Sequence, residues 1–108
     1  IRAMYSIDNT GLMFIPWGMM HQICRSKHVI WNIVDGEAVL LDTQSGIYYG
    51  MNSTATALWK LLEVPNTVEE IVLGMMSQFP VDKAVLTRDV EDIVMTLGTK
   101  RLIEQLQG

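Results

Sequence analysis

A chain of 108 residues with 49% apolar and 19% charged side chains has enough apolar surface for one hydrophobic core and too little length for two. Its 12 acidic and 8 basic residues leave a formal charge of −4, which disfavours a domain that works mainly by neutralising nucleic-acid phosphates. Cys24 is the single cysteine and His21 and His28 are the only histidines. That inventory allows no internal disulfide and shows no ligand spacing for zinc, so a reducing, cytoplasmic setting with no metal or other cofactor is expected.

The chain opens on Ile1, with Met19 and Met20 further on, so a preceding portion is expected. The uncharged stretch 9–24 contains Gly11, Pro16, Gly18, His21 and Gln22 and falls short of the ~20 apolar residues that span a bilayer. Leu12 to Trp17 is too short for a secretory core and is broken by Pro16; no membrane partner is expected. Residues 1–27 read as an N-terminal extension or an appended segment. The cluster Leu12, Met13, Phe14, Ile15 and Trp17 is expected to dock on its own domain or on a neighbouring copy.

From His28 onward short β-prone runs alternate with turn dipeptides. Val29 to Val34 is rich in β-branched residues, and Asp35-Gly36 supplies the positive φ angles of a two-residue hairpin. Glu37 to Leu41 follows as a second strand, Ser45-Gly46 reverses the chain, and Ile47 to Met51 forms a third. Ile47, Tyr49 and Met51 share one face of it, Tyr48 and Gly50 the other. These three make an antiparallel meander.

After Met51 the apolar period changes to three and four. Ala55, Leu58, Trp59 and Leu62 form one stripe, with Asn52 or Ser53 as the N-cap. Pro65 and Asn66 break the chain, and Thr67 and Glu70 have capping-box spacing for a second helix with Val68, Ile71, Val72, Met75 and Phe79 on its stripe. Pro80 stops it. A third helix starts between Asp82 and Thr87 and buries Leu86, Val90, Ile93, Val94 and Leu97; Lys100 and Arg101 suit its negative end. Strands followed by helices indicate an α+β fold with a helix-turn-helix core beside a small sheet.

No nucleophile with a base, metal cluster or phosphate loop is present in the spacings catalysis requires, and the chain is expected not to be an enzyme. Cys24 and the two histidines read as structural. A DNA-binding winged helix is the alternative, but its recognition helix would carry Asp89, Glu91 and Asp92 against Arg88 alone, and acids at that surface repel phosphates. Nucleic acid is therefore not the expected partner.

The ordered series from Gly36 to Glu104 resembles the PqqD family, the recognition elements of ribosomally made, post-translationally modified peptides. Glu37-Ala38-Val39-Leu40-Leu41-Asp42 is similar to that family's second strand. Gly46-Ile47-Tyr48-Tyr49-Gly50-Met51-Asn52 is similar to its Gly-x-Tyr-Tyr-x-Leu-Asn segment, with Met51 replacing leucine. Thr54-Ala55 and Leu58-Trp59 resemble its first helix, Thr67 to Val72 its second and Asp89-Val90 its third. The resemblance implies that residues 28–108 form a winged helix-turn-helix domain, a three-stranded antiparallel sheet followed by three helices, whose third strand has an open edge facing the third helix. A precursor's leader peptide would add there as a strand and be presented to a separate radical-SAM enzyme, leader peptidase or cyclase.

An unpaired edge displays amides and carbonyls that an extended peptide can satisfy while alternate side chains enter pockets. Four or five backbone bonds at about 0.5–1.5 kcal/mol each do not offset the several to more than ten kcal/mol that association and ordering cost. Burial of two or three large leader side chains, at about 1.5–3 kcal/mol each, has to decide affinity. The expected peptide site is accordingly Ile47, Tyr48, Tyr49, Gly50 and Met51 on the strand with Val90, Ile93, Val94 and Leu97 on the helix. Arg88, Lys100 and Arg101 are candidates for contacts with acidic leader residues. An uncovered edge, or the N-terminal segment, also gives a route to a homodimer.

Overall fold

The computed structural model describes residues 4–7 and 21–106; the expected apolar cluster between Leu12 and Trp17 lies outside them. The strands are β1 (Met4–Ile7), β2 (Ile23–Arg25), β3 (Val29–Val34), β4 (Glu37–Asp42), β5 (Ile47–Met51) and β6 (Ile103–Gln105). The helices, all between β5 and β6, are α1 (Ser53–Leu61), α2 (Val68–Met75) and α3 (Lys83–Thr99). The expected α+β arrangement and its antiparallel β3–β4–β5 meander are present.

Turn chemistry sets the meander's register. Asp35 and Gly36 adopt φ of 52° and 83°, the paired positive values that join two right-twisted strands through a two-residue turn, and Val29↔Asp42 through Val34↔Glu37 pair across it. At the next reversal one Asp42 carboxylate oxygen accepts the Gln44 and Ser45 amides at 2.9 and 3.2 Å. Gly46 follows at φ 76°. Burial pushes the Asp42 carboxyl upward, but those amides, the Ser45 hydroxyl and nearby His28 outweigh it and hold the group below the usual carboxylate range.

Helices α1 and α2 begin where their caps dictate. Asn52 Oδ1 accepts the Ala55 amide at 2.9 Å to start α1, and Thr67 and Glu70 form the reciprocal capping box of α2. Helix α2 ends at Met75, so Phe79 belongs to the following turn, where its amide bonds Met75 O at 3.2 Å. Helix α3 ends in a Schellman motif: Leu102 N–H reaches Leu97 O at 2.9 Å and Arg101 N–H reaches Gly98 O at 3.0 Å. Arg101 occupies the left-handed position at φ 60°, which glycine usually takes.

The core lies between the inner face of the sheet and the helices, with Leu40, Trp59, Ile71 and Ile93 among its fully buried side chains. Two features extend the expected architecture. Strand β2 pairs antiparallel with β6, and Ile23 on it is buried and bridged to Asn66. The fold therefore takes in residues N-terminal to position 28. Arg25, also on β2, donates through Nε to the Trp59 carbonyl at 3.1 Å. Its guanidinium stands 4.6 Å from the Trp31 ring centroid and 5.0 Å from that of Trp59, capping an α1 C-terminal carbonyl with a cation.

The second feature concerns β5. The main sheet has the order β1-β5-β4-β3, and β1 runs parallel to β5 from Met4↔Tyr48 to Ile7↔Met51. The edge expected to be open is occupied. An exposed row of amides and carbonyls can be satisfied by any extended segment within reach, including one more than 40 residues away in sequence that no hairpin turn announces.

Candidate functional site

The period-two alternation of β5 separates its side chains. Ile47, Tyr49 and Met51 face the helices: Tyr49 is 5% exposed, Met51 is buried and Ile47 is half-buried against the core. Tyr48 and Gly50 lie on the opposite face. There Tyr48 pairs with Leu41, and Leu41 with Ile30. Tyr48 helps line a shallow apolar depression of about 340 Å³ with Ile30, Val34, Val39 and Leu41, away from the helices.

Helix α3 supplies the other wall. Val90, Ile93, Val94 and Leu97 are all fully buried, in the same cluster as Tyr49, Met51 and Ile7. Strand β1 lies between the walls, pairing with β5 on one side and packing against α3 on the other. Its last residue is the best-placed plug: Ile7 has no exposed surface, and its carbonyl accepts the Asn52 amide at 3.1 Å. Strand and helix residues from the expected site thus flank one groove, and the groove holds four residues of the chain itself. Sequence reasoning missed Ile7, whose only local signal is a β-branched residue in a run too short to register as a strand.

The three candidate cations part company. Lys100 caps α3 and carries its ammonium 5.6 Å from the Tyr49 ring centroid, at the groove. Arg88 is exposed on α3, where it counteracts the rise that burial imposes on the Asp92 carboxyl. Arg101 is exposed at the helix terminus, and its carbonyl accepts the Ser26 hydroxyl at 2.9 Å. Burial, with help from Glu104, pushes the Cys24 thiol up, which reduces thiolate at neutral pH and any nucleophilicity with it. Among the described residues no cluster of three metal-ligating side chains occurs and no helix is long and apolar enough to cross a membrane. The DNA-binding alternative finds no support: Val90, Ile93, Val94 and Leu97 of α3 are packed inward, and Asp89 and Glu91 stay partly exposed.

A sheet edge and a helix with an extended segment seated between them define a small α+β domain in which β5 and α3 flank β1. The family model described as coenzyme PQQ synthesis protein D (PqqD) matches residues 37–103, and the chain belongs to the PqqD family. Among solved structures it is similar to TbiB1 in complex with the TbiA(beta) leader peptide, with 33% identity over 79% of this chain and 99% of that one and a TM-score of 0.71. It shares its fold with the PqqD truncation of Methylobacterium extorquens PqqCD, a stand-alone recognition element for ribosomally synthesised and modified peptides (21% identity, 81% and 93% coverage, TM-score 0.68). It also shares it with lasso peptide synthetase B1 complexed with a leader peptide (23% identity, 76% and 96% coverage, TM-score 0.66). No curated protein matches the chain.

Proposed function

We propose that this domain binds the leader region of a ribosomally synthesised precursor peptide by strand addition and presents it to a separate modifying enzyme, contributing recognition and no chemistry. The observation that carries the reading is the seat of β1: the β5 edge accepts an extended segment and the β5–α3 groove buries an aliphatic side chain completely. TbiB1, a third of whose residues are identical over nearly its whole length, takes a leader peptide, which supports the same ligand class here. Tyr49, Met51, Val90, Ile93, Val94 and Leu97 are the proposed pocket walls, with backbone pairing along Ile47 to Met51. Lys100 is placed for an acidic leader residue. The partner enzyme is one that acts on the presented core peptide, such as a radical-SAM enzyme, a leader peptidase or a cyclase, and the domain serves it by raising the local substrate concentration.

Calorimetric titration of the full-length protein with synthetic leaders of short precursors encoded beside it tests the proposal. One of them is expected to bind in the micromolar range or tighter, scrambled versions are not, and Met51→Asp is expected to abolish binding in protein that remains folded. Failure of every adjacent leader at tens of micromolar sinks it.

A further inference from the structure

The groove has an occupant already, and its geometry says what a ligand has to do. Strand β1 uses the β5 edge in a defined parallel register, fills the space before α3 and buries Ile7 beside the core. Yet it is only four residues long and has one strand neighbour, β5, in the main sheet. A four-residue strand whose backbone is paired along one edge only is the sort of element that opens locally while the rest of a domain stays folded.

We propose that β1 is a displaceable plug, an in-cis competitor for the peptide groove, and that an incoming leader displaces it by placing an aliphatic side chain where Ile7 sits. This rests on the proposed function for the identity of the ligand, but the displacement itself does not. Fifteen residues, 8–22, separate Ile7 from β2, so β1 competes for the groove from within the same molecule, at a higher local concentration than a free peptide. A free peptide competes at a disadvantage equal to the closed-to-open ratio of β1. The plug therefore rejects weak, adventitious extended peptides and admits those whose pockets and pairing exceed what β1 supplies. It also covers an apolar edge that would otherwise pair with another copy.

The probe for the test is a fluorescein-labelled synthetic peptide of residues 1–12 of this chain, titrated by polarisation into three full-length proteins. Wild type is the reference. In Ile7→Asp a carboxylate replaces the buried side chain and expels β1. The third is a lock in a Cys24→Ser background with Ser6→Cys and Gly50→Cys, since Ser6 and Gly50 are register partners and adjacent strands lie at about 4.8 Å, within the span a disulfide bridges.

The expected result is binding to Ile7→Asp at least tenfold tighter than to wild type, none to the oxidised lock, and recovery to the wild-type level on reduction. The Asn52 amide of wild type, bonded to Ile7 O, is expected to exchange with solvent well ahead of the β4–β5 amides. Equal binding to all three proteins overturns the proposal. So does absence of binding to both Ile7→Asp and the reduced lock together with Asn52 exchange only on global unfolding, and so does a concentration-dependent dimer in which β1 sits on a second copy. If the 1–12 peptide binds Ile7→Asp while no adjacent leader does, the plug stands and the leader reading fails. A leader that binds wild type, Ile7→Asp and the oxidised lock alike overturns the plug and leaves leader binding intact at another surface.

Discussion

Replacing Ile7 by alanine separates a plug from an integral strand. Ordering the four residues of β1 costs about 1–2 kcal/mol each, some 4–8 kcal/mol in all. Roughly four ladder bonds contribute about 0.5–1.5 kcal/mol each, and complete burial of Ile7 adds about 1.5–3 kcal/mol. The central values of the two sides, about 6 kcal/mol each, nearly cancel, so the docked strand is worth only on the order of 1 kcal/mol net. A buried isoleucine committed to a core loses about 2–5 kcal/mol on truncation to alanine. At Ile7 the loss is capped, because β1 can leave the groove and take the cavity with it. Urea unfolding followed by circular dichroism is expected to give a loss of about 1–2 kcal/mol for Ile7→Ala, with a slightly reduced m-value as less surface remains to be exposed. Ile93→Ala, in the fully buried wall of α3, is expected to lose about 2–5 kcal/mol. A loss for Ile7→Ala of 3 kcal/mol or more, equal to that of Ile93→Ala, refutes the reasoning and makes β1 a permanent part of the fold.

Arg25→Ala removes a charged donor from the Trp59 carbonyl and a cation from between two indoles; a loss of about 2–3 kcal/mol and a changed tryptophan emission are expected, with no rescue by lysine, which lacks the planar fork. Arg101→Gly relieves the left-handed backbone at the α3 terminus and is expected to raise stability by about 1 kcal/mol in the same urea assay. Asp92 is buried with one carboxylate oxygen unpartnered, and burial raises its pKa above the usual 3.8 against the opposing Arg88. A folded-state pKa above the unfolded one means that ionised Asp92 destabilises the fold, by an amount that grows as pH rises from the unfolded value through the folded one. Asp92→Asn is therefore expected to be more stable than wild type at neutral pH, by about 1–2 kcal/mol, with the advantage vanishing below pH 3.8. An advantage that persists unchanged in acid assigns the effect to something other than the charge.

The meander and the three helices were legible because their signals are local. Asp35-Gly36 specifies its own turn, Thr67 and Glu70 cap their own helix, and the stripe from Leu86 to Leu97 needs no knowledge of its partner. Strands β1, β2 and β6 were not legible, since each has only three or four residues and pairs with a segment more than 40 positions away. The openness of the β5 edge is likewise a property of everything else in the chain, which is why the vacancy expected beside Ile47 to Met51 is filled by Met4 to Ile7. Which face of β5 turns to the helices is not set by the sequence for a different reason: Ile30, Val34, Val39 and Leu41 make the outer face of the sheet apolar too, so hydrophobicity alone does not fix the phase of Tyr48 and Tyr49. Ser26, whose hydroxyl donates to the Arg101 carbonyl, and Lys100, whose ammonium lies near the Tyr49 ring, tie the α3 terminus to the rest of the fold through contacts that no sequence spacing reveals.

The most direct measurement is the amide spectrum of isotope-labelled, full-length protein during titration with an adjacent precursor's leader. The expected response is confined to the Ile47–Asn52 and Val90–Leu97 stretches, with the resonances of Met4 to Ile7 moving to free-chain positions as the leader takes their place. Binding that leaves Tyr49, Met51, Asn52 and Val94 unmoved while shifting residues on the outer face of the sheet contradicts the assignment of the groove.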